Sequence, residues 1–208
     1  MIAIVDYGVG NLFSLKSSFD AIGQEVTVTA DKEVIRGADK ILLPGVGAFE
    51  DAAKKLRDCG LDTVIKEEVA KGKLLLGICL GMQLLFEKSY EYGEHEGLSL
   101  IKGEIRPIAD VIPKDLKIPH IGWNALSFAG EKHPLFRYLK EGDCVYFVHS
   151  FYGANCAESV IATAEYGVPL PAAVARGNVM GCQFHPEKSG AVGLSILRAF
   201  CETEGTVC

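Results

Sequence analysis

Hydrophobic and polar residues in the first half of the chain alternate between two spacings. Apolar runs of strand length recur, and segments with apolar residues three or four positions apart fall between them. The predicted strands are residues 1–6, 25–29, 39–43 and 73–78. The predicted helices are residues 11–22, 48–58 and 61–71, and another helix starts over residues 80–86. This order predicts a parallel sheet with helices on both faces, joined by right-handed crossovers.

The second half has short strands separated by turn signals, and one helix at its end. The predicted strands lie near residues 97–107, 118–127, 143–148, 159–166, 171–176 and 179–184, and the last helix covers 189–203. Gly177-Asn178, between two apolar runs, indicates a β-hairpin. We expect residues 1–208 to form a single α/β domain. Its central, mainly parallel sheet is flanked by helices, and its second half is more antiparallel.

Composition excludes several classes of protein. The net charge of −6 argues against a nucleic-acid partner, and no run of 18 apolar residues indicates a membrane span. The start, MIAIVDYG, has the pattern of a first strand rather than of a signal peptide. Seven cysteines, an odd number, favour a reduced cytoplasmic protein over a disulfide scaffold. We expect no metal site and no cofactor.

The pentapeptide Gly77-Ile78-Cys79-Leu80-Gly81 falls where a buried strand becomes a helix. This is the pattern of a nucleophile elbow, with sulfur in place of the usual hydroxyl. The start of a helix favours the thiolate form of a cysteine, and the unpaired N–H of Leu80 could donate to an oxyanion. The alternative is a buried cysteine that packs as a small hydrophobic residue.

A thiol at neutral pH needs a base, and His185 is the best of the five histidines. Because Pro186 keeps the preceding residue extended, His185 and Glu187 are expected to project from one face, and the carboxylate can then orient the ring. The alternative is a strand-end histidine beside a solvated glutamate.

A second oxyanion donor is expected from the loop Pro44-Gly45-Val46-Gly47, which leaves the strand 39–43 at the same end of the sheet. The N–H of Val46 or of Gly47 could serve. The alternative is a plain glycine-rich turn.

Three separated blocks resemble those of class I glutamine amidotransferases: Leu-Pro-Gly-Val-Gly, Gly-Ile-Cys-Leu-Gly-Met-Gln and Gln-Phe-His-Pro-Glu. Further stretches, including MIAIVDYGVGN, PHIGWN and YFVHSFY, are similar to the glutaminase subunits of imidazole glycerol phosphate synthase. The resemblance implies that Cys79 attacks glutamine to form a γ-glutamyl thioester, that His185 moves the proton and that Glu187 orients His185. It also implies a cyclase partner, a (β/α)8 barrel, that takes up the ammonia.

The same resemblance implies the substrate and partner contacts. The residues expected to contact L-glutamine are Gly47, Gln83, Glu91, His149, Ser150 and Phe151. Glu91 would meet the substrate ammonium, although its surroundings match the family less closely. Gln83 could otherwise be a surface residue, and residues 149–151 an ordinary strand end. Asn11 and Trp123 are expected to face the partner, with a core position as the alternative for Trp123.

Two other functions fit the chain less well. One is a glutaminase of another synthase, in aminodeoxychorismate, anthranilate or pyridoxal phosphate synthesis; the blocks DYGVGN and IGWN argue against it. The other is a non-catalytic regulatory subunit on the same scaffold, which the presence of Cys79, His185 and Glu187 argues against.

Overall fold

Strands and helices alternate in the first half of the chain, as the hydrophobic pattern predicts. The computed structural model describes residues 1–204, so Cys208 lies outside the described residues. The elements of the first half are β1 (Ile2–Val5), α1 (Leu12–Ala21), β2 (Val26–Thr29), α2 (Lys32–Gly37), β3 (Lys40–Gly45), α3 (Phe49–Asp58), α4 (Leu61–Ala70), β4 (Leu74–Cys79) and α5 (Leu80–Leu84).

The second half consists of short strands and one long helix. Its elements are β5 (Phe86–Ser89), β6 (His95–Glu96), β7 (Ile101–Pro107), β8 (His120–Ala125), β9 (Ser127–Phe128), β10 (Cys144–His149), β11 (Phe151–Ala154), β12 (Val160–Glu165), β13 (Pro169–Arg176), β14 (Val179–Cys182) and α6 (Gly190–Glu202). Single 3-10 turns lie at Ile108–Asp110, Pro134–Phe136, Ala157–Ser159 and Pro186–Lys188.

Helix ends follow local chemistry. The side chain of Asn11 caps α1 by accepting from the N–H of Ser14, and the chain turns after the helix at Gly23, whose φ is +71°. Sequence analysis did not assign α2, which Asp31 caps by accepting from the N–H of Glu33. The helix expected over residues 80–86 ends at Leu84, because the chain turns there into β5.

An eight-stranded sheet forms the centre of the molecule, with the strand order β2-β1-β3-β4-β14-β13-β12-β9. The pairs from β2 to β14 are parallel, and those from β14 to β9 are antiparallel. Two smaller sheets hold β10-β8 and β11-β7-β5-β6. The predicted α/β class, with a mainly parallel sheet and a more antiparallel second half, is confirmed. The single-domain assignment stays a prediction.

Two hydrophobic clusters cover the two faces of this sheet, since successive strand residues point to opposite sides. Val5 and Leu43 pack in one cluster with residues of α3, α4 and α5. Ile4 and Leu42 pack in the other with residues of α1 and α6. Within residues 1–204, no helix is both long and apolar enough to cross a membrane.

The carboxyl ends of three neighbouring strands, β3, β4 and β14, meet at one edge of the sheet. Gly45 pairs with Cys79, and Cys182 pairs with Ile78. The hairpin predicted at Gly177-Asn178 joins β13 to β14, where Arg176 pairs with Val179. That hairpin brings the chain back beside β4, so the residues after Cys182 emerge next to Cys79.

Candidate active site

Cys79 occupies a sharp turn between β4 and α5. Its φ is +54° and its ψ is −113°, a conformation that non-glycine residues rarely adopt. Such a backbone costs on the order of 1–3 kcal/mol and persists only where the surrounding structure imposes it. The side chain is buried in the wall of a cavity, with the first turn of α5 directly behind it. This is the elbow that the pentapeptide predicts.

The glycines around Cys79 allow three backbone segments to touch. A Cβ atom on Gly81 would lie 1.8 Å from the carbonyl oxygen of Leu43, and one on Gly77 would lie 2.7 Å from the oxygen of Gly81. A Cβ on Gly45 would lie 2.8 Å from the nitrogen of Gly81. The start of α5 therefore presses directly against the backbones of β3 and β4, and glycine is required for that contact.

The structure brings Cys79, His185 and Glu187 together. Nδ1 of His185 lies 2.8 Å from Oε1 of Glu187, and both side chains are only 3% exposed. Burial by itself would lower the pKa of His185, but hydrogen bonds with Cys79 and Glu187, together with their charges, raise it to about 9. Because Glu187 accepts from Nδ1–H, Nε2 is the atom that faces the thiol.

The local geometry of this pair differs from the expectation in one respect. His185 is extended, with φ −103° and ψ 99°, but residues Pro186–Lys188 form a 3-10 turn instead of continuing the strand. The turn itself folds the carboxylate of Glu187 back to the ring. The expected contact is therefore present, while the extended geometry proposed for it is wrong beyond His185.

The three predicted oxyanion residues, Val46, Gly47 and Leu80, line the same cavity as Cys79. Leu80 is the first residue of α5, where backbone N–H groups lack partners in the helix. The hydroxyl of Tyr7 donates to the carbonyl oxygen of Pro44 at 2.7 Å and so holds the start of the loop. Which N–H groups serve an oxyanion stays a prediction.

The cavity beside Cys79 has a volume of about 340 Å³, within the range of small-molecule sites. His185 lines it together with Cys79. All residues predicted to contact substrate line it too: Gly47, Gln83, Glu91, His149, Ser150 and Phe151. Residues from five different segments of the chain thus converge on one concave site.

Comparison with known proteins gives the family. The model of glutamine amidotransferase class-I matches residues 3–203. The imidazole glycerol phosphate synthase subunit HisH of Lactococcus lactis subsp. lactis (strain IL1403) is 49% identical over 202 residues, 97% of this chain and 98% of that protein. The subunit of the same name from Aquifex aeolicus (strain VF5) is 49% identical over 199 residues, 95% and 94% of the two chains. The chain belongs to the class-I glutamine amidotransferases, in the HisH family.

Solved structures share the fold of this amidotransferase at lower identity. A crystal structure of a glutamine amidotransferase gives a TM-score of 0.75 at 21% identity and covers 97% of this chain and 98% of its own. A structure of PurLQS from Thermotoga maritima gives a TM-score of 0.73 at 19% identity, with 96% of each chain covered. At this identity the likeness concerns the fold alone.

Gln83 of the amidotransferase is buried, so the alternative of a surface residue is wrong. Its Nε2 donates to the carbonyl oxygen of Phe151 at 3.3 Å and to Oε1 of Gln183 at 3.0 Å. Nδ1 of His149 also donates to the oxygen of Phe151, at 2.8 Å. Burial lowers the pKa of His149 to about 4, so its ring is neutral near pH 7. Residues 149 and 151 thus form hydrogen bonds within the wall of the site.

Glu91 of the amidotransferase lies at the other side of the cavity, half-buried. Its Oε2 accepts from the backbone N–H of Phe49 at 2.7 Å, at the first residue of α3. Burial raises the pKa of the Glu91 carboxyl, and the N–H of Phe49 and the charge of His95 partly offset this. One carboxylate oxygen is thus fixed by a helix N-terminus, and the other is free to face a ligand.

Sequence analysis of the amidotransferase missed two residues of the site. Tyr92, next to Glu91, stands at the cavity rim in edge-to-face contact with Phe151, with ring centroids 6.5 Å apart. Gln183 is fully buried, and its Nε2 lies 3.9 Å from the sulfur of Cys79. The alternation of side chains before His185 could have indicated Gln183, because i and i+2 share a face in an extended segment.

The two residues expected at a partner surface lie near the active-site edge. Trp123 projects from β8 and is 57% exposed, which excludes the core alternative. Ile121, two residues before it on the same strand, is equally exposed. Asn11 caps α1 and lines a small cavity behind His185 and Glu187. Their contact with a partner stays a prediction.

Proposed function

We propose that this chain is the glutaminase subunit of an imidazole glycerol phosphate synthase, which hydrolyses L-glutamine and passes the ammonia to a cyclase subunit. The observation that carries the proposal is the buried group of Cys79, His185 and Glu187 in the wall of a cavity of about 340 Å³. The HisH relatives, 49% identical along nearly their whole length, support the assignment to this synthase.

In the first half-reaction, Nε2 of His185 takes the proton of the Cys79 thiol, and the sulfur attacks the side-chain amide carbon of glutamine. Glu187 keeps the Nδ1 proton in place and stabilises the imidazolium. The negative oxygen of the tetrahedral intermediate accepts from the N–H of Leu80 and from an N–H of the Val46-Gly47 loop. His185 then protonates the leaving nitrogen, ammonia departs, and a γ-glutamyl thioester remains on Cys79.

In the second half-reaction, water replaces ammonia. Nε2 of His185 accepts a proton from the water, whose oxygen attacks the thioester carbon. The same N–H groups stabilise the second tetrahedral intermediate, the Cys79 thiolate leaves, and glutamate is released. The imidazolium and the thiolate are restored as a pair, which is the form that the raised pKa of His185 favours.

Substrate recognition uses the opposite wall of the cavity. The Glu91 oxygen that does not bind Phe49 accepts from the α-ammonium of glutamine. Gln83, whose Nε2 is occupied by Phe151 and Gln183, offers its carbonyl oxygen to a donor on the substrate. Ser150 and the backbone beside it border the remaining part of the ligand.

The partner is a cyclase with the (β/α)8 fold. The name "subunit" in the relatives supports an assembly, and the exposed Ile121 and Trp123 near the active-site edge offer an apolar contact. Asn11 lies on the same side of the triad, so a partner seated there would cover the site and receive the ammonia. We place the activity in the cytoplasm.

The test measures glutamate release from L-glutamine by the purified chain, alone and with a candidate cyclase and its nucleotide substrate. We expect slow release by the isolated chain and faster release in the complex. Mass spectrometry under quenched conditions should find the glutamyl adduct on Cys79. Cys79→Ala should abolish release, and Cys59→Ala, at an exposed cysteine, should retain it.

Two outcomes would contradict the proposal at different points. Glutamate release that survives in Cys79→Ala would exclude the catalytic assignment. Equal turnover with and without the cyclase, or incorporation of nitrogen by an aminodeoxychorismate, anthranilate or pyridoxal phosphate partner instead, would exclude the synthase assignment and leave the chemistry intact.

A further inference from the structure

Gln183 has no role in the reaction described above, yet it lies fully buried against the nucleophile. Its backbone N–H donates to the carbonyl oxygen of Ala172 at 2.8 Å, which fixes the main chain to β13. Its side chain ends between two groups of the site. Oε1 accepts from Nε2 of Gln83 at 3.0 Å, and Nε2 lies 3.9 Å from the sulfur of Cys79.

The orientation of both amides follows from one backbone carbonyl. The oxygen of Phe151 can only accept, so Gln83 must turn its NH2 group toward it. The second hydrogen of that NH2 then points to Gln183, which must present its oxygen in return. The NH2 group of Gln183 is thereby directed at Cys79. Flipping either amide would set two acceptors, or two donors, against each other inside the protein.

We propose that Gln183 is a further functional residue of the glutaminase site, which donates an N–H to the thiolate of Cys79 and holds Gln83 with its carbonyl oxygen toward the substrate. The inference rests on the proposed function. In the ion pair, the sulfur has the imidazolium of His185 as one partner and the carboxamide of Gln183 as another. A buried donor without water competes for no other acceptor, so the contact favours the charged form of sulfur.

The two roles can be separated by two substitutions at one position. Gln183→Met keeps the length of the side chain but removes both hydrogen bonds. Gln183→Glu keeps an acceptor for Nε2 of Gln83, removes the N–H to sulfur and adds negative charge beside it. Gln24→Met, the same change at an exposed glutamine, is the matched control.

The first readout is the rate of Cys79 alkylation by iodoacetamide as a function of pH, in the full-length chain, which needs no glutaminase activity. We expect the midpoint to move to higher pH by about half a unit to one unit in Gln183→Met, the equivalent of one hydrogen bond, and further in Gln183→Glu. The other titratable groups facing Cys79 are His185, Tyr7 and Cys182, which every variant retains.

The second readout is steady-state glutaminase kinetics in the complex with the cyclase. We expect kcat/KM to fall about tenfold in Gln183→Met, consistent with the loss of one or two hydrogen bonds. KM should rise in Gln183→Met, where Gln83 is no longer held, and stay near the parent value in Gln183→Glu. Gln24→Met should match the parent in both assays.

Superimposable alkylation profiles of the parent, Gln183→Met and Gln183→Glu would overturn the inference while leaving the glutaminase assignment intact. Glutamate release by Cys79→Ala would instead defeat the proposed function. If Gln183→Met does not fold, as judged by circular dichroism, the isosteric Gln183→Glu decides the donor role. Gln83→Met then gives an additional test, because it frees the Gln183 amide to turn and should move the alkylation midpoint in the same direction.

Discussion

Gly81→Ala tests whether backbone contact shapes the nucleophile elbow. The new Cβ would lie 1.8 Å from the carbonyl oxygen of Leu43, where ordinary contact begins at 3.4 Å, so α5 and β3 must separate by about 1.6 Å. Neither group is a flexible side chain, and the helix start cannot move without moving Cys79. The substitution therefore changes the position of the sulfur as well as the packing of the sheet.

The expected effect is large in both respects. Overpacking of a core costs about 1–3 kcal/mol even where side chains can adjust, so we expect Gly81→Ala to lower the free energy of unfolding by about 3 kcal/mol or more. Displacement of a reacting group by about 1 Å can cost on the order of 100-fold in rate. We expect glutamate release to fall by at least that factor.

Two matched glycine substitutions calibrate the series. In Gly181→Ala the Cβ would meet only the side chain of Met82, at 2.4 Å from Cγ, and methionine adapts, so a loss of about 1–2 kcal/mol is expected. In Gly37→Ala, at the last residue of α2, nothing lies within 4 Å, and stability should be unchanged or rise by up to about 1 kcal/mol.

The assays are urea unfolding, followed by circular dichroism, and glutamate release in the cyclase complex. The order of stability should be Gly37→Ala, then Gly181→Ala, then Gly81→Ala. A Gly81→Ala protein that is as stable and as active as Gly37→Ala would refute the reasoning, because the close approach of α5 to Leu43 would then impose nothing on the elbow.

Three further predictions concern charge. The pKa of His185, raised from 6.5 to about 9, means that its contribution to folding is complete below pH 6.5 and is lost as the pH rises through 9. Urea unfolding at several pH values should therefore show the gap between the parent and His185→Gln shrinking by up to about 3 kcal/mol over that range, and a constant gap would contradict it. Glu91→Gln should raise KM for glutamine by about tenfold or more, as expected for a lost charged hydrogen bond, with little change in kcat; an unchanged KM would exclude the ammonium contact. Lys40→Met removes an ammonium that donates to the last carbonyls of α6, including contacts of 2.9 and 2.7 Å, and should destabilise the protein by about 1–2 kcal/mol. Glutamate release should be unaffected, and the exposed Lys66→Met should leave the midpoint of unfolding unchanged, so an equal loss in both variants would contradict the assignment.

The sequence predicted those parts of the molecule whose pattern is long or chemically distinctive. The parallel half follows from strands and helices of ordinary length. The elbow follows from a cysteine set between glycines at a strand end. By contrast, α2 has six residues and one buried side chain, Ile35, so its periodicity is too short to detect. Strands β5, β6 and β11 have two to four residues and depend on distant partners.

The candidate site shows the same division. Cys79, His185 and Glu187 were predicted because thiol, imidazole and carboxylate have distinctive chemistry at recognisable positions. Gln183 was missed because a glutamine near a strand end has no such signal. Its significance comes from Gln83, a hundred residues away in the chain, and that contact exists only once the strands have paired.

The pairing of β4 with β14 has a consequence for control of the enzyme. Because the segments that carry sulfur and imidazole leave two neighbouring strands of one hydrogen-bonded ladder, their separation is set when the sheet forms, before any ligand arrives. A docking protein could alter that distance only by breaking the sheet. Gain or loss of turnover must therefore come from the walls built by connecting segments, such as Val46-Gly47 and the link through Ser150.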